Sequence, residues 1–226
     1  MNIFIVIPLF NEEKRVARVL TDIAKYKFPI IVIDDGSVDN SKVKCQKVKL
    51  QSKIKNLTLL EHKVNLGKGA AMKTGADYAF GRGADAVIFM DSDGQHLASD
   101  LPRFIQVLKS GKMDMVFGSR NLSYGVPFVR YIGNKVASVV ASVFFGVYVS
   151  DAICGFRALT KKAYKKVRWD SKGYGVEIEM IARVGKNKIS HIEVPVETIY
   201  HDAVKGVTLL DAFGILLEVV KLKLTL

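Results

Sequence analysis

Two clusters of acids stand where continuous apolar runs end. Asp34-Asp35-Gly36-Ser37 follows Ile30-Ile31-Val32-Ile33, and Asp91-Ser92-Asp93-Gly94-Gln95-His96 follows Val87-Ile88-Phe89-Met90. A third polar stretch, Pro8-Leu9-Phe10-Asn11-Glu12-Glu13, closes the run that starts at Ile3. Aspartate and asparagine also cap helices and make turns, which accounts for Asp39 and Asp100. It does not account for Asp91 and Asp93, because neighbouring unpaired carboxylates are costly unless a cation neutralises them. Two carboxylates one residue apart suit Mg²⁺ or Mn²⁺, hard ions that take oxygen ligands and are usually completed by substrate phosphates. The chemistry this suggests is metal-assisted departure of a nucleotide diphosphate.

The elements that position these acids are legible in the hydrophobic pattern. Strands are expected at Ile3–Pro8, Ile30–Asp34, Leu57–Glu61, Ala86–Met90, Met113–Gly118 and Ile192–Val196. Several are uninterrupted Ile/Val runs, as in strands buried on both faces of a parallel sheet. Helical periodicity falls between them at Glu12–Lys25, Ser41–Lys53, Gly69–Phe80 and Asp100–Leu108. The alternation predicts an α/β fold with a doubly wound, mostly parallel sheet and, in the absence of any linker, one domain over residues 1–226. Ligands of such sheets bind beyond the carboxyl ends of the strands, where three strands here deliver their acids.

After Gly118 the pattern changes. Val136–Ser150 is an uncharged run of 15 residues. As a helix it would be about 22 Å long, against about 30 Å of bilayer hydrocarbon, so it is not expected to span. Thr208–Leu226 is also apolar, with Asp211, Gly214, Glu218, Lys221 and Thr225 on one helical face. Both segments could complete the core. Both are expected, in preference, to lie as amphipathic helices on a membrane surface.

A formal charge of +12 predicts anionic partners. Lys42, Lys44, Lys47, Lys49, Lys53 and Lys55 supply six of the positive charges, and they read as a solvated helix face. No aromatics interleave with them, so nucleic acid is not an expected partner. Cys45 and Cys154 form no CxxC pair and are expected to be reduced and incidental in a cytoplasmic chain; Met1 leads into an apolar strand with no sign of a leader. Asn65-Leu66-Gly67-Lys68-Gly69-Ala70-Ala71 opens a helix but matches neither a dinucleotide fingerprint nor a P-loop. A tight glycine turn and direct phosphate contact both remain open for it. Rival readings are a sugar-nucleotide nucleotidyltransferase and a non-catalytic basic binding module; the latter leaves the acidic strand ends without a purpose.

The motifs around Pro8–Glu13, Val32–Ser37, Asn65–Gly69 and Asp91–His96 together resemble glycosyltransferase family 2. The later Gly118-Ser119-Arg120, Asp151-Ala152-Ile153-Cys154-Gly155-Phe156-Arg157 and Tyr174-Gly175-Val176-Glu177-Ile178-Glu179 are similar to its dolichyl-phosphate mannosyltransferase branch. The resemblance runs in order over about residues 1–200. It implies a GT-A type, Rossmann-like fold and inverting transfer of a hexose, mannose or glucose, from a GDP- or UDP-sugar to a polyprenyl (dolichyl-type) phosphate, with a saccharide or other hydroxyl acceptor as the alternative. By that similarity Pro8, Phe10, Glu12, Ile33 and Asp35 hold the base and ribose of the donor. Asp91, Asp93 and Gln95 sit at a Mg²⁺ or Mn²⁺ ion, with Ser92 beside the diphosphate, and Arg120 and Arg130 face the phosphates of donor and acceptor. Residues 1–118 form the donor half and 119–226 the acceptor half. A processive-synthase Gln-x-x-Arg-Trp motif is absent, since Lys165 precedes Arg168-Trp169. Arg157 is expected to form a structural ion pair with Asp151. The family's C-terminal arginine has only His201 and Lys205 as counterparts. Attachment at the cytoplasmic face of the membrane would then rest on interfacial helices or an anchoring partner protein.

Overall fold

Three buried apolar runs, β1 (Ile3–Leu9), β2 (Ile30–Asp34) and β4 (Ala86–Phe89), pair in parallel, and β3 (Leu57–Glu61) adds a parallel edge strand beside β2. They belong to a computed structural model that describes residues 1–51, 54, 56–121, 128–199 and 222–223, and of 128–130 the backbone alone. With β5 (Met115–Arg120), β6 (Arg157–Thr160) and β7 (His191–Val196) they complete a seven-stranded sheet of order β3-β2-β1-β4-β6-β5-β7. β6 runs antiparallel to both its neighbours, and every other pairing is parallel. The mixed sheet is the GT-A arrangement expected.

Helices cover both faces. α1 (Val16–Ala24), α2 (Ser41–Gln51) and α4 (Leu101–Ser110) pack on one side. α3 (Lys68–Gly81), α5 (Phe128–Phe145), α6 (Lys161–Val167) and α7 (Val176–Lys186) pack on the other. The period-2 alternation of a strand divides each one between the two cores. Ile3, Ile5, Ile7 and Leu9 of β1 enter the α1/α2/α4 core, while Val6 enters the other. Burial of both sheet faces explains why these strands read as continuous apolar runs.

Several boundaries differ from expectation for identifiable reasons. α1 begins at Val16 rather than Glu12, because the preceding segment is held as a loop, with Asn11 at φ +52°. β5 lies two residues later than expected and so carries Arg120 at its end. α5 ends at Phe145 and Gly146 takes φ +70°, so the uncharged run is part helix and part return strand connection. β6, α6 and α7 were not anticipated. Of Thr208–Leu226 only Leu222 and Lys223 lie within the described residues; Leu222 is buried, and Lys223 Nζ donates to Phe144 O at 3.0 Å.

On α2, Lys44, Lys47 and Lys49 are exposed and Lys42 pairs with Glu61 at 2.6 Å, as expected of a solvated face, while Lys53 and Lys55 lie outside the described residues. Cys45 and Cys154 are buried and unbridged, and burial pushes both thiols up to about 12.

Candidate active site

The first two strand-end loops are laced into one ledge. Asn11 N donates to Ser37 Oγ, Glu12 N to Ser41 Oγ, Glu13 N to Asp39 Oδ2, and Val38 N to Asn11 Oδ1. Burial would raise the carboxyl of Asp39, but donors from Ser41 and Glu13 outweigh it and hold it below its ordinary value. Phe10 projects from this ledge, exposed, while Glu12 is largely buried and pairs with Arg15 at 3.3 Å. Pro8 is buried within β1. Ile33 is also buried, with its Cδ1 against Gly75 of α3.

Asp35 does structural work. Its Oδ1 accepts from Leu66 N at 3.0 Å and meets His62 Nδ1 at 2.6 Å, and its Oδ2 accepts from Gly67 N at 2.8 Å. These bonds set the turn that starts α3. The Asn65–Ala71 segment is therefore a tight glycine turn whose amides serve the protein: Leu66 N and Gly67 N bind Asp35, and Ala70 N donates to Lys172 O. The two glycines allow the 171–172 backbone to close in, since a Cβ on Gly69 would lie 2.2 Å from Ser171 O. Trp169 Nε1 donates to Gly69 O at 2.8 Å. Glu179 organises the same loop, accepting from Asp170 N, Ser171 N and Arg183 Nε. Burial opposes its ionisation, but these donors hold its carboxyl below the ordinary value.

The product of this scaffolding is the position of Lys68, the first residue of α3. Its Nζ lies 2.8 Å from Asp91 Oδ1 and 2.9 Å from Glu177 Oε1, with 17% of the side chain exposed. Glu177 is buried and its Oε2 accepts no hydrogen bond among the described residues. Burial would raise Asp91, yet the charge of Lys68, aided by His96, holds its carboxyl below the usual range. Asp93 behaves oppositely: burial first, then the charge of Asp91, raise it. Its Oδ1 accepts from Gln95 N at 2.9 Å. Ser92 is buried beside them. His96 turns inward, its Nδ1 3.5 Å from Asp91 N and its Nε2 3.9 Å from Cys154 Sγ, and burial lowers its proton affinity. The bridge His96–Thr198 and the bond from Ile199 N to Gln95 O fasten this loop to the chain beyond β7.

The fit to a hard divalent ion follows from these environments. Among the described residues Asp93 is a second carboxylate with no ion pair, and Asp91, Asp93 and Gln95 lie on one loop and can each offer an oxygen. Among the described residues no three His, Cys, Asp or Glu side chains gather as a closed cage. An ion here would need further oxygens, which a diphosphate supplies.

Arg120, expected at the phosphates, is bound at the sheet edge by Asp151. Its Nε and Nη2 reach Asp151 Oδ2 and Oδ1 at 2.6 and 2.9 Å, and Asn134 Nδ2 adds a third bond to that carboxylate. Asp151 therefore does not form the ion pair with Arg157 that was expected from sequence. The fully buried Arg157 instead donates to three carbonyls, Cys154 O, Glu177 O and Ala152 O, and lies over the Phe117 ring. Arg130 falls in the first turn of α5 with its side chain outside the described residues, as are His201 and Lys205. Lys68, Glu177 and Gly155 are the site residues that sequence reasoning left without these roles.

Gly155 has a steric reason for being glycine. A Cβ there would lie 2.4 Å from Asp91 Oδ2 and 2.7 Å from Lys68 Nζ. Gly155→Ala is expected to fold, because the atoms it meets belong to the side chains of Asp91 and Lys68 and not to backbone, but to lower turnover about tenfold or more by displacing the Asp91–Lys68 pair. Steady-state transfer rates with a melting curve check this; wild-type turnover in a folded variant would refute it.

Sheet order, the antiparallel β6 and the acid-bearing edge beyond β4 define a glycosyltransferase of GT-A fold. The chain belongs to glycosyl transferase family 2, which residues 4–168 match. The UDP-N-acetylglucosamine–dolichyl-phosphate N-acetylglucosaminyltransferase of Methanococcus voltae is 30% identical over 98% of this chain and 96% of its own. The polyprenol monophosphomannose synthase of Mycolicibacterium smegmatis is 28% identical over 85% of this chain and 75% of its own. An uncharacterized protein of Methanocaldococcus jannaschii is 31% identical over 96% of both. Among solved structures, glucosyl-3-phosphoglycerate synthase from Mycobacterium tuberculosis, in complex with Mn²⁺, UDP-glucose and phosphoglyceric acid, superposes with TM-score 0.73 at 18% identity, over 98% of this chain and 79% of that one. The named sequence relatives carry sugars to polyprenyl phosphates, the branch that the later motifs resemble.

Proposed function

We propose that this glycosyltransferase moves a hexose from a GDP- or UDP-sugar to a polyprenyl phosphate at a membrane surface, with Mg²⁺ or Mn²⁺ held by Asp91, Asp93 and Gln95. The observation that carries the reading is the pair of unlike carboxylates on one strand-end loop, Asp91 compensated and Asp93 not. The two named relatives supply the acceptor class by analogy. A bound divalent ion would contribute charge stabilisation of the departing diphosphate.

The chain's own residues do the rest. The Phe10–Glu12 ledge faces the donor's nucleoside from the donor half, residues 1–118, and Ser92 stands beside the diphosphate. Arg120, oriented by Asp151, directs a fixed guanidinium to the same edge, where bidentate cations suit phosphate oxygens. A monoester phosphate, with a second pKa of about 6, is already ionised at neutral pH, so the acceptor needs positioning rather than a general base. Arg130 is assigned to that phosphate. A cavity of about 290 Å³ beside His96 is lined by Lys14, Arg15, Arg18 and Asp22, with Arg15 and Arg18 partly neutralised by Glu12 and Asp22.

No described helix is long and apolar enough to cross a membrane. α5 nevertheless exposes Ile132, Val136, Val139 and Val143, spaced 4-3-4 on one face, with Phe144 beside them. We assign this stripe to lipid contact. Val139→Glu/Val143→Glu should fold, since both positions are exposed, and should lower co-sedimentation with anionic vesicles about tenfold; unchanged sedimentation would remove α5 from the interface.

The test of function is transfer of label from GDP-mannose, UDP-glucose and UDP-N-acetylglucosamine, with Mn²⁺ or Mg²⁺, into a solvent-extractable polyprenyl phosphate. Metal-dependent lipid labelling is the expected result. Donor hydrolysis with no lipid product would discard the acceptor, and pyrophosphate release from a nucleoside triphosphate would point to a nucleotidyltransferase.

A further inference from the structure

Lys68 has no role in the reading above, yet it is bound to the residue assigned to the metal. Its ammonium bridges Asp91 Oδ1 and Glu177 Oε1, and Gly155 leaves the space in which that bridge sits. Formal charges show what this arrangement favours. Asp91, Asp93, Glu177 and Asp151 contribute four carboxylates against the three cations Lys68, Arg120 and Arg157, one positive charge too few. The cluster is therefore short of positive charge, though Asp91 itself is satisfied. A divalent ion bound at Asp91 would place two cations on one carboxylate, which repel strongly where water is scarce. Lys68 can yield because it has a second anion within reach. A donor diphosphate arriving at the same edge provides a third.

We propose that Lys68 is a built-in counter-ion that competes with the divalent cation for Asp91 and gives way when cation and nucleotide diphosphate bind together. The proposal rests on the metal reading given above. Glu177 is then the holding position for the displaced ammonium, which explains a buried carboxylate with an oxygen that accepts no hydrogen bond among the described residues. The consequence is positive coupling: nucleotide tightens the cation and the cation tightens nucleotide by the same factor. The free enzyme avoids carrying a tightly bound ion with no substrate to act on.

The experiment is Mn²⁺ titration of the full chain, followed by the electron paramagnetic resonance of free Mn²⁺, with and without saturating GDP or UDP. Lys68→Met is expected to bind Mn²⁺ about tenfold more tightly without nucleotide, and to lose most of the tightening that nucleotide brings. Glu177→Gln should act in the opposite sense, weakening nucleotide-free Mn²⁺ binding, because the displaced ammonium then has no anion to receive it. Opposite signs from two neighbours are not what simple loss of structure produces, and either variant alone can carry the test if the other does not fold. Unchanged or weaker Mn²⁺ binding in Lys68→Met overturns the proposal. So does tightening that is equal with and without nucleotide, the behaviour of a bystander charge. Asp91→Asn separates the two levels: if it binds Mn²⁺ as the wild type does, the metal assignment itself falls.

Discussion

Asp91→Asn is expected to lower sugar transfer about a thousandfold, corresponding to about 4 kcal/mol of transition-state stabilisation. The substitution preserves size and removes one charge at the centre of the site. It acts on two things together. The cation proposed at this edge loses a ligand, and Lys68 loses one of its two carboxylates. Asp93→Asn should be similarly inactive but differ in stability. Burial and Asp91 raise the Asp93 carboxyl, so folding favours its protonated form, and the stability it contributes is present at low pH and lost as pH rises through its folded pKa. At neutral pH a neutral side chain relieves that cost, and Asn retains an oxygen for the Gln95 amide. Asp93→Asn should therefore melt at or above the wild-type temperature, whereas Asp91→Asn should melt below it, leaving Lys68 with Glu177 alone. Transfer assays and melting curves on both variants check this. Near-normal transfer by Asp91→Asn at saturating Mg²⁺ would sink the metal assignment, and a destabilised Asp93→Asn would show that its carboxylate is compensated after all.

The parts of this site that could be read from sequence are those fixed by local pattern. Apolar runs ending in acids placed Asp35, Asp91 and Asp93 at one sheet edge, because strand period and doubly wound order are properties of neighbouring residues. What each acid does there depends on partners remote in the chain. Asp35 could be read as a donor-site residue, but its second task, accepting from Leu66 N and Gly67 N and meeting His62, could not. Asp151 looked like the partner of Arg157 because the two lie close in sequence, and it is instead held by Arg120 from β5. β6 escaped notice because Arg157-Ala158-Leu159-Thr160 is short, begins with a charge and lies antiparallel between β4 and β5, an order that periodicity cannot give. Lys68 was visible only as part of a glycine turn. Its contact with Asp91 depends on how closely the Gly67–Gly69 turn packs against the 171–172 backbone, a tertiary fact.

Arg157→Leu should be the most destabilising single change beyond β5. The guanidinium has no exposed surface, and it donates to Ala152 O, Cys154 O and Glu177 O at 2.6, 2.8 and 2.6 Å. Leucine fills much of the space over the Phe117 ring but leaves three buried carbonyls without those donors. Unmade buried hydrogen bonds and lost compensation for nearby Glu177 together put the cost at about 3–5 kcal/mol. For a chain of 226 residues that corresponds to a melting temperature lower by on the order of 10 °C. Arg157→Lys should fall between, since one ammonium cannot reach carbonyls in three directions as a planar fork does. Thermal and guanidinium unfolding curves measure both, and a shift under about 2 °C for leucine would mean water or a rearranged loop satisfies the carbonyls. The three carbonyls also belong to the segments that present Gly155 and Glu177 to Asp91 and Lys68. Variants that remain folded at low temperature should therefore lose catalytic rate beyond their loss of folded population, because the cation that holds this part of the core together also holds the site in register.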